Sequence, residues 1–193
     1  MIHSTAVISE KATLGNNVSV GPFCYVGDDV VIGDDCVLES HVVIKGPTTI
    51  GKNNRIFQFS SIGEECQDKK YAGEPTTLVI GDNNVIRENC TIHRGTVQDR
   101  GETRIGSGNL LMAYVHLAHD CIVGNEVIIV NGTELSGHIV IEDRAFVSGM
   151  VGAHQFVRFG KLSMTGGMSR IVKDILPFST VEGNPARLIG TNA

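Results

Sequence analysis

The sequence predicts an all-β protein that coils as a parallel β-helix, and three observations support this prediction. Every sixth residue is aliphatic over most of the 193 residues. A small or β-branched residue follows four positions after most of these aliphatic residues, and glycine often follows one position after them. Side chains four and six positions apart share one face of a strand but spiral around a helix. Such a short fixed period is typical of a solenoid whose units bury apolar side chains against their neighbours.

The aliphatic positions fall into three stretches, and we expect each hexad to form a short strand and a bend. Glycine beside the aliphatic residue suits that bend because it tolerates a sharp turn of the backbone. The first stretch contains Ile2, Ile8, Leu14, Val20, Val26, Ile32, Leu38, Ile44, Ile50, Ile56 and Ile62. The second contains Ile80, Ile86 and Ile92, and the third contains Ile105, Leu111, Leu117, Val123, Ile129, Leu135, Ile141 and Val147, then more loosely Ala153, Phe159, Thr165 and Ile171.

Two segments depart from the repeat. The polar segment 64–77 separates Ile62 from Ile80, which are eighteen residues apart, so the phase is kept across it. A shorter break covers 98–104. Loops on a rigid scaffold are common places for function, although insertions are also tolerated at corners without any function.

Two prolines mark the end of the repeat. Pro177 and Pro185 cannot donate a hydrogen bond to a strand ladder. We therefore predict one β-helix over residues 1–176, with loops at 64–77 and 98–104, followed by a C-terminal exit segment at 177–193.

Composition narrows the classes of partner. The formal net charge of −5 makes a nucleic-acid partner unexpected. Basic residues nevertheless predominate between 157 and 193, where they either dock an acidic partner or form a solvated rim. No apolar run is long enough to span a bilayer and no charged-then-apolar leader opens the sequence. We therefore expect no membrane insertion and a cytoplasmic location.

The five cysteines all fall on the small inward position of their hexads. An odd number argues against a closed set of disulfides, so we expect core residues. The alternative is Cys121 as a nucleophile beside His119, although buried thiols are usually inert. The five are Cys24, Cys36, Cys66, Cys90 and Cys121.

The hexad consensus resembles the hexapeptide-repeat acyltransferases, whose coils are left-handed triangular prisms of three hexads. The sequence pattern alone leaves the hand open, and parallel crossovers are usually right-handed. The left hand is therefore what the resemblance implies. Three hexads per turn place residues eighteen apart above one another, about 4.8 Å apart.

Stepping by eighteen residues gathers polar side chains on one edge of the predicted prism. Four of the seven histidines lie within residues 116–154. Gly137 and then Gln155 are expected above His119, and His138 is expected above Asp120. Folding does not require such a cluster, so we interpret it as a functional site. Its predicted members are His116, His119, Asp120, Gly137, His138, His154 and Gln155.

Three kinds of chemistry fit this cluster. His119 as a general base, with Asp120 orienting it and the Gly137 N–H stabilising an oxyanion, would support direct acyl transfer. Three imidazoles would instead hold a zinc ion, as in the gamma-class carbonic anhydrases, but His116-x-x-His119 is weak evidence for that. A non-catalytic scaffold that binds a sugar or a partner is the third possibility.

Longer stretches resemble the UDP-N-acetylglucosamine O-acyltransferases that begin lipid A biosynthesis. The similarity extends from the N-terminus to about residue 190, and the order of YAGEPT, IHRGT and AHDC is specific. The stretches are SIGEECQDKKYAGEPT (61–76), CTIHRGTV (90–97), NLLMAYVHLAHDCIVGN (109–125), GAHQF (152–156) and EGNPARLIG (182–190).

The resemblance implies a reaction and a role for each site residue. A 3-hydroxyacyl chain would move from acyl carrier protein to the 3-hydroxyl of a UDP-amino-sugar, UDP-N-acetylglucosamine, without a metal or organic cofactor. Acylation of a sugar amine is the close alternative. His119 would be the base, Asp120 its partner and Gly137 the oxyanion donor. The substrate-binding residues would be Gln67, Asp68, Lys70, His116, His138, His154, Gln155 and, for acyl length, Gly167.

The resemblance also implies an assembly. Members of the family form homotrimers with sites between subunits, so Lys70 and His119 would come from different chains. They continue past the prism into a helical C-terminal domain, whereas this sequence ends at Ala193. The basic residues between 157 and 193 would meet the acidic carrier protein.

Overall fold

The chain forms a left-handed parallel β-helix in a computed structural model that describes residues 1–192. Short strands from successive coils stack into three sheets, and the described residues contain no helix. It follows that none of these residues forms a helix of the length and apolarity needed to cross a bilayer.

As far as Ile171, each sheet takes every third strand of the chain, and the last two strands both join sheet 3. Sheet 1 contains β1 (Val7–Ile8), β4 (Tyr25–Val26), β7 (Val43–Ile44), β10 (Ser61–Glu64), β13 (Thr91–His93), β16 (His116–Leu117), β19 (Glu134–Leu135), β22 (Gly152–Ala153) and β25 (Arg170–Ile171). Sheet 2 contains β2 (Thr13–Leu14), β5 (Val30–Ile32), β8 (Thr48–Ile50), β11 (Thr77–Ile80), β14 (Glu102–Ile105), β17 (Ile122–Val123), β20 (Val140–Ile141) and β23 (Arg158–Phe159). Sheet 3 contains β3 (Ser19–Val20), β6 (Val37–Leu38), β9 (Arg55–Ile56), β12 (Val85–Ile86), β15 (Leu110–Leu111), β18 (Ile128–Ile129), β21 (Phe146–Val147), β24 (Met164–Thr165), β26 (Ser179–Gly183) and β27 (Ala186–Thr191).

The predicted aliphatic positions form the core. Ile62, Ile92 and Leu117 stack in successive coils and are completely buried. Burial of a side chain of this size contributes about 1.5–3 kcal/mol. The five cysteines are also buried, and all are free thiols. The predicted core position is confirmed for Cys24, Cys36, Cys90 and Cys121, whereas Cys66 is buried in the longer loop outside the core.

The expected reason for the corner glycines is wrong. Except at Gly63, which itself has a positive φ of 77°, the residue with positive φ lies two positions after the glycine and is usually not glycine, as at Asp35 (φ 58°) after Gly33. Gly33 itself is needed for clearance, because a Cβ there would lie 2.7 Å from the Gly51 carbonyl carbon of the next coil. Stacking distance, rather than turning freedom, therefore selects glycine at that position.

The two loops and the end of the β-helix differ from the predicted bounds. The longer loop covers 65–76, while the shorter one covers 94–101 because Glu102 to Arg104 belong to β14 and pair with β11. Because all four residues of β14 pair with β11, β14 begins at Glu102, inside the predicted break. The coil also continues past Pro177, since β26 pairs in parallel with β24 before β27 folds back antiparallel.

Candidate active site

Both loops leave the prism at the corner between sheets 1 and 2, the 1–2 corner (residues 118–121, 136–139 and 154–157 in the later coils). They join β10 to β11 and β13 to β14. The buried Arg94 guanidinium anchors the longer loop, because it donates to the Gly63 carbonyl at 3.0 Å and to the Tyr71 hydroxyl at 3.2 Å. The two insertions therefore cover the edge that carries the predicted histidine cluster.

His119 and Asp120 form a buried pair at this corner. His119 Nδ1 lies 2.8 Å from Asp120 Oδ2. Thr96 donates from its N–H to Oδ1 at 2.9 Å and from its hydroxyl to Oδ2 at 2.6 Å. Burial alone would raise the pKa of Asp120, but the hydrogen bonds from His119 and Thr96 outweigh it and lower that pKa. An ionised carboxylate only accepts, so His119 Nδ1 carries a hydrogen, and in the neutral ring Nε2 is the nitrogen with the lone pair.

Gly137 lies against the His119 ring on the next coil. A Cβ on Gly137 would lie 2.6 Å from His119 Nε2, so a side chain here would displace the ring. Within residues 1–192 the Gly137 N–H makes no hydrogen bond. Equivalent N–H groups at the corner between sheets 2 and 3 are capped by side chains: Ser107 N–H donates to Asn125 Oδ1, and Asn125 N–H to Asp143 Oδ1, both at 2.8 Å. Gly137 therefore offers an uncapped donor beside a basic nitrogen.

His138 stands directly above Asp120 and is held on two sides. Its Nδ1 lies 2.9 Å from Asp99 Oδ2 in the shorter loop. Its ring stacks on Phe156 with centroids 4.5 Å apart and planes 7° apart, and meets His119 edge-on at 5.0 Å. Two imidazoles on successive coils are thus each paired with a carboxylate.

His116 and His93 form a less polar part of the site. The rings meet edge-on at 5.0 Å, and His116 Nδ1 lies 2.7 Å from the Thr91 hydroxyl. Burial lowers the pKa of His93 to about 4 and also lowers the pKa of His116. Both rings are therefore neutral near pH 7, and only His116 lines the cavity at His119.

Two adjoining cavities open at the 1–2 corner and share Asp68 and Gln155. The base cavity, of about 430 Å³, is lined by Gln67, Asp68, His116, Ala118, His119, Glu134, Leu135, Ser136, Gly137 and Gln155. The loop cavity, of about 560 Å³, is lined by Asp68, Lys70, Thr96, Gln98, Asp99, His138, Gln155 and Phe156.

Two predicted residues lie outside these cavities. His154 lines a neighbouring recess of about 300 Å³ that shares Glu134 and Ser136 with the base cavity. Gly167 lies at the corner between sheets 3 and 1, so one chain does not bring it to His119. Lys70 and His138 of the same chain both line the loop cavity. The pairing of Lys70 with another subunit's His119 stays a prediction.

The two alternative chemistries have weaker geometric support. Burial raises the pKa of Cys121 to about 12, which disfavours a thiolate nucleophile. Ligand atoms of His119, Asp120 and His138 lie within 4.8 Å of one another, close enough for a metal ion. However, both Asp120 oxygens already accept hydrogen bonds, and His116 from the predicted H-x-x-H pair is directed at Thr91.

Sequence reasoning missed three residues that shape the site. Thr96 falls inside the CTIHRGTV stretch, but nothing in the hexad pattern indicates that its loop folds onto Asp120. Asp99 falls in the predicted break, where a carboxylate among polar residues is an ordinary surface feature. Phe156 occupies the positive-φ position of its coil (φ 67°), directly above His138, so stacking by eighteen would have found it.

The fold and the corner site define a hexapeptide-repeat transferase. The family described as bacterial transferase hexapeptide (six repeats) matches residues 11–46 and 102–137. Its repeats are the same hexads that build the three sheets.

The individual relatives narrow this class. An acyl-[acyl-carrier-protein]–UDP-N-acetylglucosamine O-acyltransferase of Verminephrobacter eiseniae is 56% identical over 191 residues, covering 99% of this chain and 73% of the relative. One of Saccharophagus degradans is 57% identical over 185 residues, covering 96% and 72%. The solved UDP-N-acetylglucosamine acyltransferase of Francisella novicida superposes with a TM-score of 0.98 at 45% identity, covering 100% of this chain and 71% of that one. The chain belongs to the UDP-N-acetylglucosamine O-acyltransferase family.

Proposed function

We propose that this chain transfers a 3-hydroxyacyl group from acyl carrier protein to the 3-hydroxyl of UDP-N-acetylglucosamine, the first step of lipid A biosynthesis. The observation that best supports this proposal is the His119–Asp120 pair next to Gly137. His119 Nε2 is free and lies against Gly137, whose N–H is uncapped. Relatives at 54–57% identity bear the name of this reaction. Base and oxyanion donor are the two parts that direct acyl transfer requires.

The proposed reaction proceeds in one covalent exchange. His119 Nε2 takes the proton of the sugar hydroxyl while that oxygen bonds to the thioester carbonyl carbon. The carbonyl oxygen gains the electron pair and is stabilised by the Gly137 N–H. The carbon–sulfur bond then breaks as the carbonyl re-forms, and the imidazolium returns its proton to the leaving thiolate. Asp120 stabilises the imidazolium, and neither a metal nor an organic cofactor is needed.

The remaining residues are assigned to binding. Gln67, Asp68, Lys70 and Gln155 present polar groups around the two cavities and would orient the nucleotide sugar. His116 is neutral and half-buried, which suits contact with an uncharged part of either substrate. His138, His154 and Gly167 keep the substrate-binding roles that the resemblance implies, with Gly167 contributing from another subunit of a homotrimer.

The donor and the location follow from the same chemistry. Lys161, Arg170, Lys173 and Arg187 lie near the C-terminal end of the prism, whereas Arg158 there is paired with Glu142 at 2.6 Å. These basic side chains would attract an acidic carrier protein. A nucleotide-sugar acceptor and an acyl carrier protein donor support a cytoplasmic site of action.

The test is a transfer assay with the purified chain. A panel of acyl carrier protein thioesters is combined with UDP-N-acetylglucosamine and its 3-amino analogue, and products are identified by mass spectrometry. We expect an ester at the 3-hydroxyl that forms with chelator present. An amide product alone would establish the N-acyl alternative, and binding without product would establish a scaffold.

A further inference from the structure

Two carboxylate–imidazole pairs stand on successive coils, although the proposed reaction uses only one base. Asp120 lies 2.8 Å from His119 Nδ1, and Asp99 lies 2.9 Å from His138 Nδ1. We propose that Asp99 is a positioning residue: it holds the Nδ1–H of His138 and thereby reserves Asp120 for His119. Its effect on catalysis rests on the proposed function, whereas its effect on His138 does not.

Three side-chain donors can reach the same oxygen of Asp120. Asp120 Oδ2 accepts from both His119 Nδ1 and the Thr96 hydroxyl, which uses both of its lone pairs. His138 Nδ1 lies 3.9 Å from the same oxygen. A small rotation would make His138 a third donor there and displace His119. Asp99 provides an acceptor 2.9 Å away and removes that competition.

The ring of His138 has little other freedom. Phe156 stacks on one face at 4.5 Å and His119 abuts it edge-on at 5.0 Å. Stacking fixes the plane of the ring but leaves open which nitrogen carries the hydrogen. A carboxylate acceptor at Nδ1 selects the Nδ1–H tautomer, so Nε2 becomes an acceptor. In the loop cavity this nitrogen would accept a hydrogen bond from a hydroxyl or amide of the substrate.

The shorter loop is built to present both of its polar groups. Asp99 N–H donates to the Thr96 carbonyl at 3.3 Å, and Gly101 N–H donates to the same oxygen at 2.9 Å. This turn holds Thr96 on Asp120 and Asp99 on His138 at once. The insertion therefore orders two coils of the site and is more than a tolerated extension of a corner.

The first test reads the tautomer directly. Protein labelled with ¹⁵N-histidine is studied by NMR at pH 8, and the His138 signals are assigned by their loss in His138→Ala. The His119 signals are assigned in the same way with His119→Ala. We expect the Nδ1–H tautomer of His138 in the wild type. In Asp99→Ala, His138 should turn to Asp120 Oδ2, and the His119 signals should shift because that ring loses its carboxylate acceptor. The matched control Glu126→Ala, which removes an exposed carboxylate paired with Arg144, should leave the His138 signals unchanged. A His138 ring that is Nε2–H in the wild type, or His119 signals that are unchanged in Asp99→Ala, would overturn the proposal.

The second test asks whether Asp99 acts through His138. We expect Asp99→Ala to lower kcat about threefold to tenfold, less than the loss of a hydrogen bond to a charged group at the base itself, because Asp99 acts through His138. In a His138→Ala background the same change should have no further effect, because the competing donor is gone. Equal losses in both backgrounds would refute the positioning role. If the wild type lacks transferase activity, the proposed function fails while the NMR result still decides the role of Asp99.

Discussion

Two corners of the same prism carry polar side chains and use them differently. At the 2–3 corner, buried Asn54, Asn84 and Asn109 bond to one another in a ladder, with Asn84 Nδ2 3.0 Å from Asn54 Oδ1 and Asn109 N–H 2.9 Å from Asn84 Oδ1. At the 1–2 corner, neither the Gly137 N–H nor His119 Nε2 has a hydrogen-bond partner within residues 1–192.

The difference between the two corners shows how a regular solenoid can acquire a functional site. A self-satisfied ladder stabilises the stack but leaves nothing for a ligand. At the 1–2 corner, Gln155 occupies the position from which Asn125 and Asp143 cap the 2–3 corner, but it makes no hydrogen bond to the Gly137 N–H within residues 1–192. Two loops add side chains that orient the imidazoles. The unused hydrogen-bonding capacity of the 1–2 corner is what a substrate would fill.

The largest expected effect comes from removing the base. His119→Ala should lower kcat by about 10²–10⁴-fold, because proton transfer then has no positioned acceptor. Transfer kinetics measure the loss, and circular dichroism should show an unchanged fold. His41→Ala is the matched control, since His41 is an exposed histidine at another corner, stacked between Phe23 and Phe59. A fully active His119→Ala would refute the role of the base.

Filling the space at Gly137 should have the next largest effect. The Cβ in Gly137→Ala would lie 2.6 Å from His119 Nε2 and would push the ring out of position. A displacement of about 1 Å costs on the order of 10²-fold in rate, which steady-state kcat should reveal. Gly190→Ala is the control, because a Cβ there meets nothing within 4 Å. Wild-type kcat in Gly137→Ala would show that His119 need not occupy this place.

Thr96→Val should have a smaller effect, because it removes only the hydroxyl and keeps the N–H bond to Asp120. Loss of one hydrogen bond to a charged group should lower kcat by about tenfold. Thr133→Val deletes a similar bond, from its hydroxyl to the Ser148 carbonyl, and Thr133 lines neither the base cavity nor the loop cavity. We expect Thr133→Val to lower the melting temperature with kcat unchanged. Equal kcat in the two variants would argue against Thr96 as a clamp on Asp120.

Acid should destabilise the site corner through His93. Its pKa is about 4 in the folded chain and about 6.5 when unfolded, so the unfolded state binds more protons between these values. Stability should therefore fall from about pH 6.5 to pH 4, by on the order of 1–2 kcal/mol per chain after solvent screening. His93→Phe should flatten the dependence of the melting temperature on pH. A pH dependence identical to that of the wild type would show that His93 does not cause the acid destabilisation.

The fold was readable from sequence because hexad spacing is a property of the chain itself. The stacking of His119, Gly137 and Gln155 also followed, since it needs only the coil length. The contributions of Thr96 and Asp99 did not, because a loop of eight residues has no periodicity to fix its path. The bend glycines were misread since spacing shows where a small residue is needed but not whether φ or a neighbouring coil demands it.

The N–H of Gly137 can be tested without altering any side chain. Incorporating glycolic acid at position 137 replaces that peptide bond by an ester, which removes the donor and leaves His119 its space. We expect kcat to fall by about 10²–10³-fold, the loss found for a single oxyanion donor, with the melting temperature little changed. An ester variant that transfers acyl groups at the wild-type rate would contradict the account.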